Sequence, residues 1–154
     1  MTRAQPQQTL TCLPERVNTV PCCAICNQMK RTSSVPDFVE RARAINAHCP
    51  VALPGQRPPL PKAFGGRADL RNARKTKADK LTSAQRRALQ SATCYLCGVQ
   101  PAGGVDRVDS FGDYVTDNVR SCCKGCNYLK KDLSPQEVCV HVAYIVRHTS
   151  AWDT

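Results

Sequence analysis

Large rings are scarce in this chain of 154 residues: aromatics make up 5% of it, with a single Trp at position 152. A core built with few rings is thin, and the first eighty residues offer few apolar runs to thicken it. No stretch approaches the ~18 consecutive apolar residues of a membrane-spanning helix. The amino terminus has no apolar segment behind a basic start, as a secretory signal would. Acidic residues are also few, 12 against 22 Lys and Arg, for a formal net charge of +10. These shortages argue against a membrane partner. They describe a soluble chain of a reducing, intracellular compartment (nucleus, cytoplasm, organelle matrix or virion) that needs a source of stability besides its core.

Cysteine is what the chain has in excess, with eleven. Cys94-Tyr95-Leu96-Cys97 and Cys123-Lys124-Gly125-Cys126 form two CxxC knuckles with 25 residues between them. That spacing brings four thiolates around one tetrahedral ion and predicts structural Zn2+, whose binding energy supplies the stability that the core lacks. Redox or disulfide chemistry is the competing explanation. An odd number of cysteines behind no signal sequence suits free thiols better.

The positive charge is uneven. Residues 41–87 hold twelve Lys or Arg against only Asp69 and Asp79, whereas the remainder holds ten of each sign. A polyanion is the natural partner of such a region, because each cation that neutralises a phosphate releases condensed counterions. DNA or RNA is therefore expected along Arg67, Arg71, Arg74, Lys75, Lys77, Lys80, Arg86 and Arg87. A solvated linker, basic by composition, is the alternative; five prolines between Pro50 and Pro61 predict an extended connector there.

The chain also repeats itself. Setting residues 18–48 against 118–148 without a gap gives nine identities, among them Cys22/Cys122, Cys23/Cys123, Cys26/Cys126, Asn27/Asn127, Lys30/Lys130 and Ser34/Ser134. Average composition would give about two. Each CCxxCN segment is expected to wrap a knuckle into a short helix. Ser134-Pro135-Gln136-Glu137 then caps a second helix from about 135 to 147, with Val138, Val142, Ile145 and Val146 on one stripe. Ser34 opens its counterpart, with Phe38, Ala42 and Ile45 inward. Thr82-Ser83-Ala84-Gln85 caps another helix before Cys94, and residues 67–78 are also expected to be helical. Cys22, Cys122 and Cys139 are expected to pack in the interior, and His141 and His148, a heptad apart, to be exposed.

Between the knuckles, Gly104 to Val119 alternates as strand, turn, strand, with Gly112 at the bend. Here the carboxyl half, about 82–148, resembles the HNH family of ββα-metal nucleases: CxxC, a GxDRxD strand, a turn ending Asn-Val, then CCxxCNxxK. It is most similar to the phage and large-virus variants with Asp-Arg where Asp-His is usual. The resemblance implies that Cys94, Cys97, Cys123 and Cys126 hold the structural zinc. It also implies that Asp106 and Asn127 ligate a second ion, commonly Mg2+, and that Asn118 braces the hairpin. The reaction would be phosphodiester hydrolysis, with the metal stabilising the phosphorane. The general-base His of the family is replaced by Arg107, which has no acceptor atom and cannot take a proton. Asp109 is the candidate substitute, and Arg107 is left to grip the phosphate or to pair with an Asp.

The amino-terminal copy keeps the knuckle Cys23 and Cys26 and the Asn27 equivalent, but residues 1–21 hold no CxxC and no Asp-Arg strand. Cys12 and Cys49 are the expected partners for a second zinc with Cys23 and Cys26. The chain thus reads as a small α+β zinc protein: a truncated knuckle-helix unit at 1–49, a basic Pro-containing connector at 50–81, and an HNH-like or treble-clef-like ββα domain at 82–154. Two functions follow. One is a metal-dependent endonuclease working through Asp106, Asn118, Asn127 and Arg107. The other is a catalytically silent protein of the same descent, which binds nucleic acid or protein partners in a nucleoprotein particle such as a virion or an organellar ribosome.

Overall fold

Short side chains that cap helices set the architecture. The computed structural model describes residues 22–53 and 78–150. In it, α1 (Ala24–Lys30) starts at Cys23, whose Sγ accepts from the Cys26 amide, and α2 (Val35–His48) starts at Ser34, whose hydroxyl accepts from the Asp37 amide. A reciprocal pair of bonds between Thr82 and Gln85 opens α3 (Ser83–Ser91). α4 (Lys124–Lys130) starts at Cys123 as α1 does at Cys23, and a reciprocal Ser134–Glu137 pair opens α5 (Pro135–Thr149). Satisfying the first amides of a helix in this way contributes about 1 kcal/mol each.

The two copies of the repeat build the same unit. α1 and α4 start and end at equivalent positions, and the chain leaves them through the same backbone reversal, with φ at 52° at both Arg31 and Lys131. Like packs on like: α2 lies against α5, and α1 against α4. Ile25, Met29, Phe38, Ala42 and Ile45 of the first unit and Leu129, Val138, Val142 and Ile145 of the second belong to one buried cluster, which extends to Cys94 and Leu96. The arrangement is that of an isologous dimer within one chain.

The sheet is small. β1 (Val105–Arg107) pairs antiparallel with β2 (Val119–Ser121), so that Asp106 stands opposite Arg120. Between the strands, residues 108–118 form a loop that turns and bends at Gly112, as expected, and then ends in a 3-10 turn at Thr116–Asn118. The reason is local polar chemistry. Asp109 folds its carboxylate back to the Phe111 amide at 2.9 Å, which competes with pairing across the hairpin.

Cys122 and Cys139 are buried as expected, but Cys22 is exposed. His141 is also corrected, because it is buried while His148 is exposed. α5 turns a broad face inward, including His141 and Tyr144, because α2 covers one side of it. The Pro-containing connector and nearly all of the helix expected at 67–78 lie outside the described residues. Among the described residues, no helix is long and apolar enough to cross a membrane.

Because Ile45 is fully buried in the shared cluster, Ile45→Ala is expected to cost about 2–5 kcal/mol. Urea unfolding followed separately at the two units should show the loss in a single common transition; two separate transitions would contradict a shared core.

Candidate metal centre and the adjoining pocket

Cys94 and Cys97 are carried on a turn closed by two bonds. The Cys94 amide donates to Val99 O at 2.8 Å and the Gly98 amide to Cys94 O at 2.9 Å, with Gly98 at φ 75°, where glycine is favoured. Cys123 and Cys126 sit at the start of α4, where the Cys126 amide donates to Cys123 Sγ at 3.4 Å. The four ligand atoms lie within 4.8 Å of one another, and Cys97 Sγ is 3.8 Å from Cys123 Sγ. A tetrahedral ion with metal–sulfur bonds of about 2.3 Å requires edges of about 3.8 Å. The four cysteines can therefore hold one metal ion. Hydrogen bonds from Cys122 and Cys126 hold the Cys94 thiol well below the ordinary cysteine range and push those two donors up.

The first unit reaches into this centre. Arg41, on α2, donates from Nη1 to Cys123 Sγ at 3.7 Å. Its guanidinium lies over Gly125, where any Cβ would run into it. Burial would lower the Arg41 pKa, but the hydrogen bond of Cys126 and the charges of Cys126, Cys123 and Cys97 together raise it. A fixed cation beside a cluster of thiolates offsets their negative charge and orients them. His48 closes the other knuckle, with Nδ1 only 2.7 Å from where a Gly98 Cβ would stand.

Cys23, Cys26 and Cys49 do not form a second such cluster among the described residues. Cys49 instead donates its thiol to Tyr95 O at 3.3 Å, next to the buried Cys139, whose pKa burial and the nearby Cys49 raise to about 11. Cys12 lies outside the described residues.

Asp106, Arg107 and Asn127 line one pocket of about 260 Å³, together with Arg31, Tyr128 and Lys131. Asp106 is buried, and both its oxygens are engaged: Tyr95 Oη donates to Oδ2 at 2.8 Å, and the Lys130 ammonium lies 3.3 Å from either oxygen. Lys130, wholly buried, also donates to Arg107 O at 2.9 Å and to Ser110 Oγ at 3.1 Å. Burial raises the Asp106 pKa, while Lys130 and Tyr95 act against that rise. Asn127 donates to Val105 O at 3.3 Å. Arg107 donates to Gly112 O at 3.0 Å and stacks on Tyr114, 4.7 Å from the ring centre, rather than pairing with Asp109 or Asp113.

Asn118 stands outside the pocket and staples the loop. Its Oδ1 accepts from the Asp109 amide at 2.9 Å, and its Nδ2 donates to Asp109 O and Asp113 O, both at 3.0 Å. Of the expected nucleic-acid contacts, Lys80 and Arg87 are exposed, while Arg86 pairs with Asp79 and lies over Tyr114. Arg67, Arg71, Arg74, Lys75 and Lys77 lie outside the described residues.

Sequence reasoning missed three participants. Lys130 recurs in both copies of the repeat, which marked it as important without a role, and Tyr95 sits inside a knuckle. Arg41 gave no signal beyond its charge.

No family model matches the chain, and no solved structure matches it. It is similar to an uncharacterized protein of Acanthamoeba polyphaga mimivirus, with 32% identity over 136 residues, an alignment covering 83% of this chain and 26% of that protein. The chain thus spans about a quarter of the length of that relative.

Titration of metal-free protein with Co2+ is expected to give the visible bands of a tetrahedral tetrathiolate complex, and Cys126→Ser should abolish them. Arg41→Ala should leave the bands in place but weaken binding about 10- to 100-fold, the usual cost of losing an outer partner of a metal site. Unchanged affinity would leave Arg41 with a packing role alone.

Proposed function

We propose that this chain is a zinc-binding, nucleic-acid-binding protein of HNH descent whose nuclease site is closed by its own lysine. The observation that carries this reading is the buried Lys130 ammonium seated on Asp106 and on the Arg107 carbonyl. In the HNH arrangement, that is where a divalent ion would draw on the Asp carboxylate.

The two implied metals fare differently. Four soft thiolates at tetrahedral spacing fit zinc. Mg2+ demands near-octahedral oxygen ligation, and Asp106 already gives its oxygens to Tyr95 and Lys130. These residues do not fit that ion and offer no hydrolytic step through it. Asp109, the candidate base, is exposed and turns its carboxylate to the Phe111 amide.

The net charge of +10 supports a polyanionic partner. The similar mimivirus protein is a viral one, the setting in which a nucleoprotein particle would be met. The endonuclease remains the second reading because Asp106, Arg107 and Asn127 line one pocket.

Purified protein is expected to bind DNA or RNA but not to nick plasmid with Mg2+ or Mn2+ at any pH; nicking lost in Asp106→Ala would favour the enzyme. Replacing Arg71, Arg74, Lys75 and Lys77 should flatten the salt dependence of duplex binding by about 0.9 for each phosphate no longer neutralised. An unchanged slope would remove the basic region from the binding surface.

Lys130→Ala is expected to destabilise the fold by about 3–5 kcal/mol, because it leaves a buried carboxylate unpaired. Lys130→Met combined with Asp106→Asn should recover most of that loss in a urea titration; equal losses in both variants would argue against the ion pair as the cause.

A further inference from the structure

A second feature of the pocket comes from the duplication. Arg31 and Lys131 hold equivalent positions in the two units, and because α1 packs on α4 both line the same hollow. Each has φ at 52°, with ψ at −122° and −111° respectively. Among the described residues they are the non-glycine positions with positive φ. Glycine would meet that backbone without strain, yet a long cation stands at both places.

Tyr128, 56% exposed, lines the same hollow, and its counterpart in the first unit is Gln28. The Arg31 guanidinium lies 5.6 Å from its ring centre and the Lys124 ammonium 5.7 Å. A second hollow, of about 370 Å³, adjoins the first and shares Arg31 and Tyr128 as walls. An exposed ring with a hollow at its side and cations around it meets the two needs of an unpaired nucleotide: a face for the base and charge for the phosphates.

We infer that the seam between the two units is a binding groove for single-stranded nucleic acid, with Tyr128 as the stacking platform for one base and Arg31 and Lys131 as paired phosphate contacts. The inference rests on the nucleic-acid-binding reading above and narrows it to one class of ligand. A base within a duplex is stacked on both faces and cannot lie on a side chain, so duplex would engage this groove poorly.

The test is fluorescence anisotropy of the full chain with zinc, using oligothymidylate, oligouridylate and a duplex of matched length. The single strands are expected to bind more tightly, with the better of the two deciding between DNA and RNA. Tyr128→Ala should cost single-strand affinity about tenfold and leave duplex affinity unchanged, while Tyr128→Phe keeps the wild-type value. Arg31→Gly and Lys131→Gly should each reduce the single-strand salt slope by about 0.7. Their melting temperatures should be equal to or above wild type, an outcome that a purely structural role for these cations would not produce. Normal single-strand affinity in Tyr128→Ala and in both glycine variants, with nucleic acid still bound, overturns the groove and leaves the broader reading standing. Absence of binding to all three ligands overturns both.

Discussion

Thiols gathered within 4.8 Å of one another cannot all ionise unless a cation lies among them or close by. That constraint organises the molecule. The ligands come from a turn before β1 and from the start of α4, so filling the centre fixes the helix against the hairpin. The same helix carries Asn127, Tyr128 and Lys130, and Lys131 follows at its end. Arg41 adds the first unit to the arrangement, because its guanidinium touches the cluster from α2. The metal centre therefore joins three parts of the chain, whereas the ligand spacing alone concerns two.

The two copies of the repeat build similar frames, in which equivalent residues have different tasks. Lys30 donates to the neighbouring Arg31 carbonyl, while Lys130 is wholly buried against Asp106. The difference lies in what surrounds them: the second unit has a hairpin whose β1 presents a carboxylate to the helix, and the described residues of the first have no such strand. Ser34 and Ser134 kept one task, capping the second helix, since that need is internal to the unit and does not depend on neighbours. Arg31 and Lys131 kept one backbone conformation and one charge, and the packing of α1 on α4 brings them to a common pocket.

The same distinction explains how much was legible from residues alone. Helix starts at Ser34, Thr82 and Ser134 were readable because a cap and the amide it serves are three residues apart. The apolar stripes through Phe38, Ala42 and Ile45 and through Val138, Val142 and Ile145 were readable by helical period, and the four-cysteine cluster by the geometry of paired knuckles. The bend at Gly112 was readable, but the 3-10 turn that ends the loop was not, because Asp109 and Asn118 take up backbone groups in a way that no periodicity records. Burial of His141 and exposure of Cys22 depend on which face another helix covers. Arg41 and Lys130 were illegible as site residues, since their partners lie 82 and 24 positions away.

The bonds of the motif residues bear on what their presence means. Asp106, Asn118 and Asn127 each have a structural partner here. Asp106 accepts from Tyr95 and Lys130 and so links the knuckle, β1 and α4. Asn118 holds the 108–118 loop by three hydrogen bonds, and Asn127 ties α4 to Val105. A buried carboxylate without its lysine would be left unpaired at a cost of several kcal/mol, and the loop without its asparagine would lose its three ties. These bonds account for the three residues without any catalytic role, so their presence is weak evidence for catalysis. Arg107 stacks on Tyr114 and bonds the Gly112 carbonyl, so it too braces the loop.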